Sequence, residues 1–247
     1  MHSNKVLIGM QMEFKSLRLY KWQVLSSLLI LPFSYVFVVL LAGNVHGGNI
    51  AYILTGYMVA TLIGAFLGLY AMRICNLMQP EVLELYATFQ VSVTQTVLSY
   101  CFSYMLLSLP IIIMSLAISI HYAASVNVVL LIAGTLISIA AITLLAMCLG
   151  LVIKNMYKAQ GIIPMLSWVF LLIAPIYYST QNLNPVYKAV LLINPVTHCL
   201  NLVRVALGFQ PVVGILWSFG YLLIFIVVLA VYALGAFRRT YILERLY

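Results

Sequence analysis

VVLLIAGTLISIAAITLLAMCLGLVI, residues 128–153, contains no charged residue. An α-helix needs about 20 apolar residues to cross the hydrocarbon core of a bilayer. Lipid offers no partner for backbone amides, so a run of this length reads as a membrane-spanning helix. Comparable runs flank it on both sides. They cover about Trp22 to Ala42, Ile50 to Met72, Thr96 to Ile120, Ile162 to Tyr178 and Val212 to Phe237. The pattern predicts an all-α polytopic membrane protein with six transmembrane helices.

Composition agrees. Of 247 residues, 65% are hydrophobic and 6% are charged, whereas a soluble domain carries about 25% charged residues. Six spans and their loops account for the chain, which leaves no sizeable soluble domain such as an ATPase. The net charge of +8 could suggest nucleic acid, but basic residues also collect in cytoplasmic loops, and no nucleic-acid partner is expected. The apolar start is interrupted by Glu13, Lys15, Arg18 and Lys21, unlike a signal peptide. Cys75, Cys101, Cys148 and Cys199 are scattered and form no metal or disulfide pattern.

The chain divides into six parts. Residues 1–21 are predicted to form an interfacial helix, with Val6, Leu7, Met10, Phe14 and Leu17 on one face and Asn4, Gln11, Lys15 and Arg18 on the other. Residues 22–72 hold spans one and two, with Ala60, Gly64 and Gly68 spaced to let helices approach closely. Residues 73–95 form a polar connection, in which Pro80-Glu81 predicts the start of a short helix to about Thr88. Residues 96–178 hold spans three to five, with Pro110 placed to kink the third. Residues 179–211 are too polar for a span and too apolar for a solvated loop. They predict two short helices, each begun by an Asn-Pro pair at Asn184 and Asn194. Residues 212–247 are span six and a charged tail.

Counting Lys and Arg sets the orientation. Lys5, Lys15, Arg18, Lys21, Arg73, Lys154, Lys158, Arg238, Arg239 and Arg245 fall on one side, and only Lys188 and Arg204 on the other. Basic residues mark the cytoplasmic side, so both termini are expected there. No span has a charge at its centre, which argues against an ion-coupled antiporter. His46, His121 and His198 map to the outer side and read as solvated or interfacial. The chain has no HExxH and no phosphate-binding loop, so hydrolysis of ATP is not expected of it.

Two segments carry a family resemblance. EVLELYATFQVS, residues 81–92, resembles the "GTLELLLATPVS" segment of type-2 ABC exporter permeases, and LINPVTHCLNLVR, residues 192–204, resembles their "LNPLTYAVEALR" segment. The resemblance implies the membrane half of an exporter in the plasma membrane. It would work as a homodimer with a separate ATPase subunit that binds ATP and Mg, with no cofactor in this chain. It also implies that Glu81, Leu83, Glu84 and Leu85 belong to a coupling helix that docks on the ATPase. Asn194, Pro195, Thr197 and Arg204 would then belong to a re-entrant hairpin gating the outer end. Tyr177 and Tyr178 could line the substrate path or anchor the helix in the interface. The cargo stays open between drug, lipid and glycan. An ATP-independent secondary transporter or channel, and an assembly subunit without transport, are the alternatives.

Overall fold

A computed structural model describes residues 2–30, 33–34, 37, 50–88, 92–176, 178, 180 and 183–244. Among these, every regular element is a helix. Within the first span predicted, Trp22 to Ala42, residues 31–32, 35–36 and 38–42 lie outside the described residues, as do Tyr177 and the end of the tail. Helix α1, His2–Ser16, is followed by a turn and α2, Lys21–Leu25, which widens into a π-helical turn at Ser26–Ile30. Helix α3 runs Ile50–Leu77, α4 Pro80–Thr88, α5 Val93–Tyr122, α6 Val128–Ile153, α7 Met156–Ile173, α8 Pro185–Ile193, α9 Pro195–Ala206 and α10 Ile215–Glu244.

Among the described residues, five helices are long and apolar enough to cross a membrane: α3, α5, α6, α7 and α10 through Phe237. The pair α8–α9, bent by 94°, would be a sixth if taken as one broken span. α6 has the predicted bounds. α7 does not: it starts at Met156 rather than Ile162, because Asn155 caps it by accepting the Lys158 amide at 3.1 Å. What reads as a basic loop, Lys154 to Gln160, is therefore mostly its first turn. α7 also ends at Ile173, and Pro175 lies beyond it in irregular backbone. α5 continues through Pro110 as one helix and opens with a capping box between Ser92 and Gln95.

α3 is the centre of the molecule. Its long apolar window is the most buried of the five. One end meets α9, and the other meets α1 and α4. The small-residue stripe on α3 does bring helices together: a Cβ on Gly64 would collide with the Ser27 carbonyl oxygen, and one on Gly68 would meet the Ser27 Oγ at 3.2 Å. Gly64 lies within a second π-helical turn, Gly64–Tyr70, facing the first.

Candidate functional site

The hairpin α8–α9 forms as the two Asn-Pro pairs predict. Each proline sits at the start of its helix, where no amide is needed. The Asn184 side chain accepts the Val186 amide at 3.0 Å, and that of Asn194 accepts the Val196 amide at 3.0 Å. Asn194 also donates through Nδ2 to the Phe170 carbonyl of α7 at 2.8 Å. Pro195 and Thr197 are buried in the first turn of α9. Beyond the end of the helix at Ala206, Gly208 adopts a φ of +83°, and its amide donates to the Val205 carbonyl at 3.1 Å. A side chain there would also strike Ser125, in the α5–α6 loop.

Arg204 is buried within the protein. It is 3% exposed and held by α3 and by the backbone that follows α7. Nε donates to Thr55 Oγ1 at 3.1 Å, Nη1 to Tyr52 Oη at 2.8 Å and to the Pro175 carbonyl at 2.6 Å, and Nη2 to the Ile176 carbonyl at 3.0 Å. The guanidinium carbon also lies 3.5 Å from the centre of the Tyr52 ring. One side chain therefore ties α9, α3 and residues 175–176 together. A planar fork with five N–H groups can do this where an ammonium cannot.

His198 departs from its predicted solvated state. It is buried, with Nε2–H donating to the Leu192 carbonyl at 2.9 Å and Nδ1 accepting from the Ser218 hydroxyl at 3.2 Å. The tautomer follows from the carbonyl, which can only accept. Asn201 Nδ2 donates to Ser218 Oγ and to the Val213 carbonyl, both at 2.8 Å, and its Oδ1 accepts the Val212 amide at 2.7 Å. The Tyr221 ring stacks on His198 at 4.1 Å. These bonds join α9 to the start of α10.

At the far end of α3, α4 spans the predicted Pro80 to Thr88. Glu81 and Glu84 are exposed, while Val82 and Leu83 pack partly against the core. The side chain of Leu85 lies outside the described set. Nearby, Glu13 of α1 is 4% exposed. It is ion-paired with Arg73 Nε at 2.8 Å and accepts the Tyr104 hydroxyl at 2.9 Å. Glu13 thus turns inward, toward α3 and α5, while Leu7 of the predicted apolar face is 57% exposed on the protein surface, where lipid would meet it.

A family profile described as ABC-2 family transporter protein matches residues 39–234. The chain belongs to the ABC-2 transporter family. It is thus a multi-pass membrane protein and the membrane component of an ABC transporter, a transport subunit rather than a catalyst. No curated protein matches it at a significant level. In this ABC-2 chain the hairpin and α4 therefore occupy opposite ends of α3. Tyr178 belongs to the hairpin end: its hydroxyl donates to the Ile173 carbonyl at 2.7 Å and lies 3.3 Å from that of Tyr187, while its own carbonyl accepts from Tyr52 at 3.2 Å. Sequence reasoning missed Tyr52, Thr55, Glu13, Arg73 and Tyr104 as members of either cluster.

Proposed function

We propose that this chain is the permease of an ATP-driven exporter, working as a homodimer with a separate ATPase subunit that binds ATP and Mg. The carrying observation is α4. It is a short helix attached to the end of the central helix, with two exposed carboxylates three residues apart and apolar residues between them. Side chains at that spacing project to the same side, and an interface with Arg or Lys opposite would set register and partner. Glu81, Leu83, Glu84 and Leu85 are its contacts. The ten-to-two distribution of basic residues supports a cytoplasmic side for α4 and both termini, and the resemblance supports the plasma membrane. The hairpin, through Asn194, Pro195, Thr197 and Arg204, closes the outer end. Tyr178, at the hairpin end, and its sequence neighbour Tyr177 are the candidate residues of the path by which a lipid, glycan or drug would leave.

The test is Glu81→Lys combined with Glu84→Lys. Each contact is worth about 1–3 kcal/mol as a charged hydrogen bond. Single changes are expected to be mild, and the double change to abolish co-purification of the ATPase while the permease stays at normal level. Wild-type co-purification and wild-type ATP hydrolysis in the double variant would reduce α4 to a solvated helix.

A further inference from the structure

The chain contains four carboxylates, and one of them, Glu13, is buried. A carboxylate out of water needs strong donors. Here they come from three elements: Arg73 near the end of α3, Tyr104 on α5, and Ser16 at the end of α1, whose Oγ donates to Glu13 Oε2 at 3.1 Å. Arg73 Nη2 also donates to the Ser16 hydroxyl, and the guanidinium lies 4.3 Å from the centre of the Tyr20 ring, in the turn leading to α2.

Apolar side chains could hold these helices together with less desolvation cost. Apolar attraction is non-directional, however, and lets packed helices slide. Charge-assisted bonds fix distance and orientation. A second contact removes the remaining freedom of α1. Its Val6 carbonyl accepts the Ser99 hydroxyl of α5 at 3.0 Å, and Gly9 lies so close to Ser99 that a Cβ would collide.

Arg73 is also joined to α4 without slack. The Met78 amide bonds the Ile74 carbonyl at 3.1 Å, and the amides of Val82 and Leu83 bond the Gln79 carbonyl at 3.1 and 2.9 Å. The turn is hydrogen-bonded on both sides, so α4 follows α3 through a short, bonded connection five residues after Arg73.

We infer that Glu13, Arg73 and Tyr104 form the junction that carries displacement of α4 into α1 and α5. Arg73 is the positioning residue that joins the cytoplasmic helix to the bundle. This rests on α4 docking an ATPase. The junction is a separate requirement: an ATPase can bind α4 and hydrolyse ATP without moving the bundle.

The experiment uses the reconstituted complex with its ATPase, in a background without the native cysteines. Val126→Cys, in the loop at the opposite end, is the reporter, labelled by a membrane-impermeant maleimide with and without ATP and vanadate. In Glu13→Gln, the nucleotide-dependent change in labelling rate is expected to fall on the order of tenfold, as for loss of one charge-assisted bond. Co-purification of the ATPase and its hydrolysis should persist. Arg73→Gln should behave alike, and the double variant should be no worse than either single, because residues acting as a unit are not additive. Should Glu13→Gln fail to accumulate, Tyr104→Phe removes one hydroxyl and is expected to give a smaller loss of the same kind. A wild-type response in Glu13→Gln, or losses that multiply in the double variant, overturns the junction. If no ATPase accompanies the wild-type permease, the partnership itself fails, and the junction fails with it.

Discussion

At the scale of single residues, the buried Arg204 and the partly buried Arg73 differ. Arg73 is paired with a carboxylate, whereas the partners of Arg204 given above are all neutral: two carbonyls, two hydroxyls and an aromatic face. Arg204→Met would remove the donor from those acceptors, at about 1–3 kcal/mol for each one left unpaired. The Tyr52 hydroxyl still reaches the Pro175 carbonyl at 3.4 Å, and the charge no longer has to be desolvated. Arg204→Lys keeps the charge but cannot fork across four acceptors. Thermal unfolding in detergent is expected to rank wild type above Lys and Lys above Met. A Met variant as stable as wild type would mean that burial of the charge cancels its bonds. Part of this was legible. Asn194, Thr197, His198, Asn201 and Arg204 recur every three or four residues, so they share one side of α9. His198 alone among them reads as solvated or interfacial, and it is buried because in lipid the polar stripe of a helix turns toward protein. Glu13 gave a similar signal: it lies three residues after Met10 and four before Leu17, on the face read as apolar. The partners Tyr52, Thr55 and Tyr104 were not legible, because they lie far from Arg204 and Glu13 in sequence, and no local pattern selects one tyrosine among seventeen.

At the scale of elements, punctuation residues were reliable and lengths less so. The Asn-Pro and Pro-Glu pairs placed α4, α8 and α9, because a cap and a fixed φ act locally. α7 was misplaced because Asn155 caps a helix whose first turn is polar, and hydropathy alone counts such a turn as loop. The Ala60–Gly64–Gly68 stripe was legible as a packing face but not as a π-helical one. It yields a graded prediction. Gly64→Ala puts its Cβ into the Ser27 carbonyl oxygen, a backbone atom that cannot turn aside, and is expected to cost about 1–3 kcal/mol as overpacking. Gly68→Ala meets only the Ser27 hydroxyl, which can rotate, and a helical alanine gains up to about 1 kcal/mol over glycine. It should therefore be neutral or slightly stabilising. Equal melting temperatures for the two variants would show that α2 and its π-helical turn do not press on α3 at Gly64.

At the scale of the whole molecule, exposure does not by itself mark an interface, because apolar side chains facing lipid cost nothing. α10 is the least buried long helix, and α7 follows it. The choice between them rests on what each is tied to. α7 is bonded to the hairpin through Asn194 and Phe170, and the backbone that continues from it supplies two acceptors to Arg204. On the reading proposed above, a helix that borders the α8–α9 hairpin is where two copies would enclose a path wider than one bundle can hold. The homodimer proposed above is accordingly expected to meet along α7, on the stripe Ile162, Met165, Val169 and Leu172, all exposed and spaced three or four residues apart. Ile163 and Leu171 on the opposite side are buried within the chain. In a background without the native cysteines, oxidation in native membranes should trap dimers from Met165→Cys and Leu172→Cys but not from Ile163→Cys or Leu171→Cys. Dimers trapped instead from Val227→Cys and Val231→Cys would move the seam to α10 and leave α7 facing lipid. Monomers at every position, with the protein present at normal level, would remove the dimer and with it the two-chain export path.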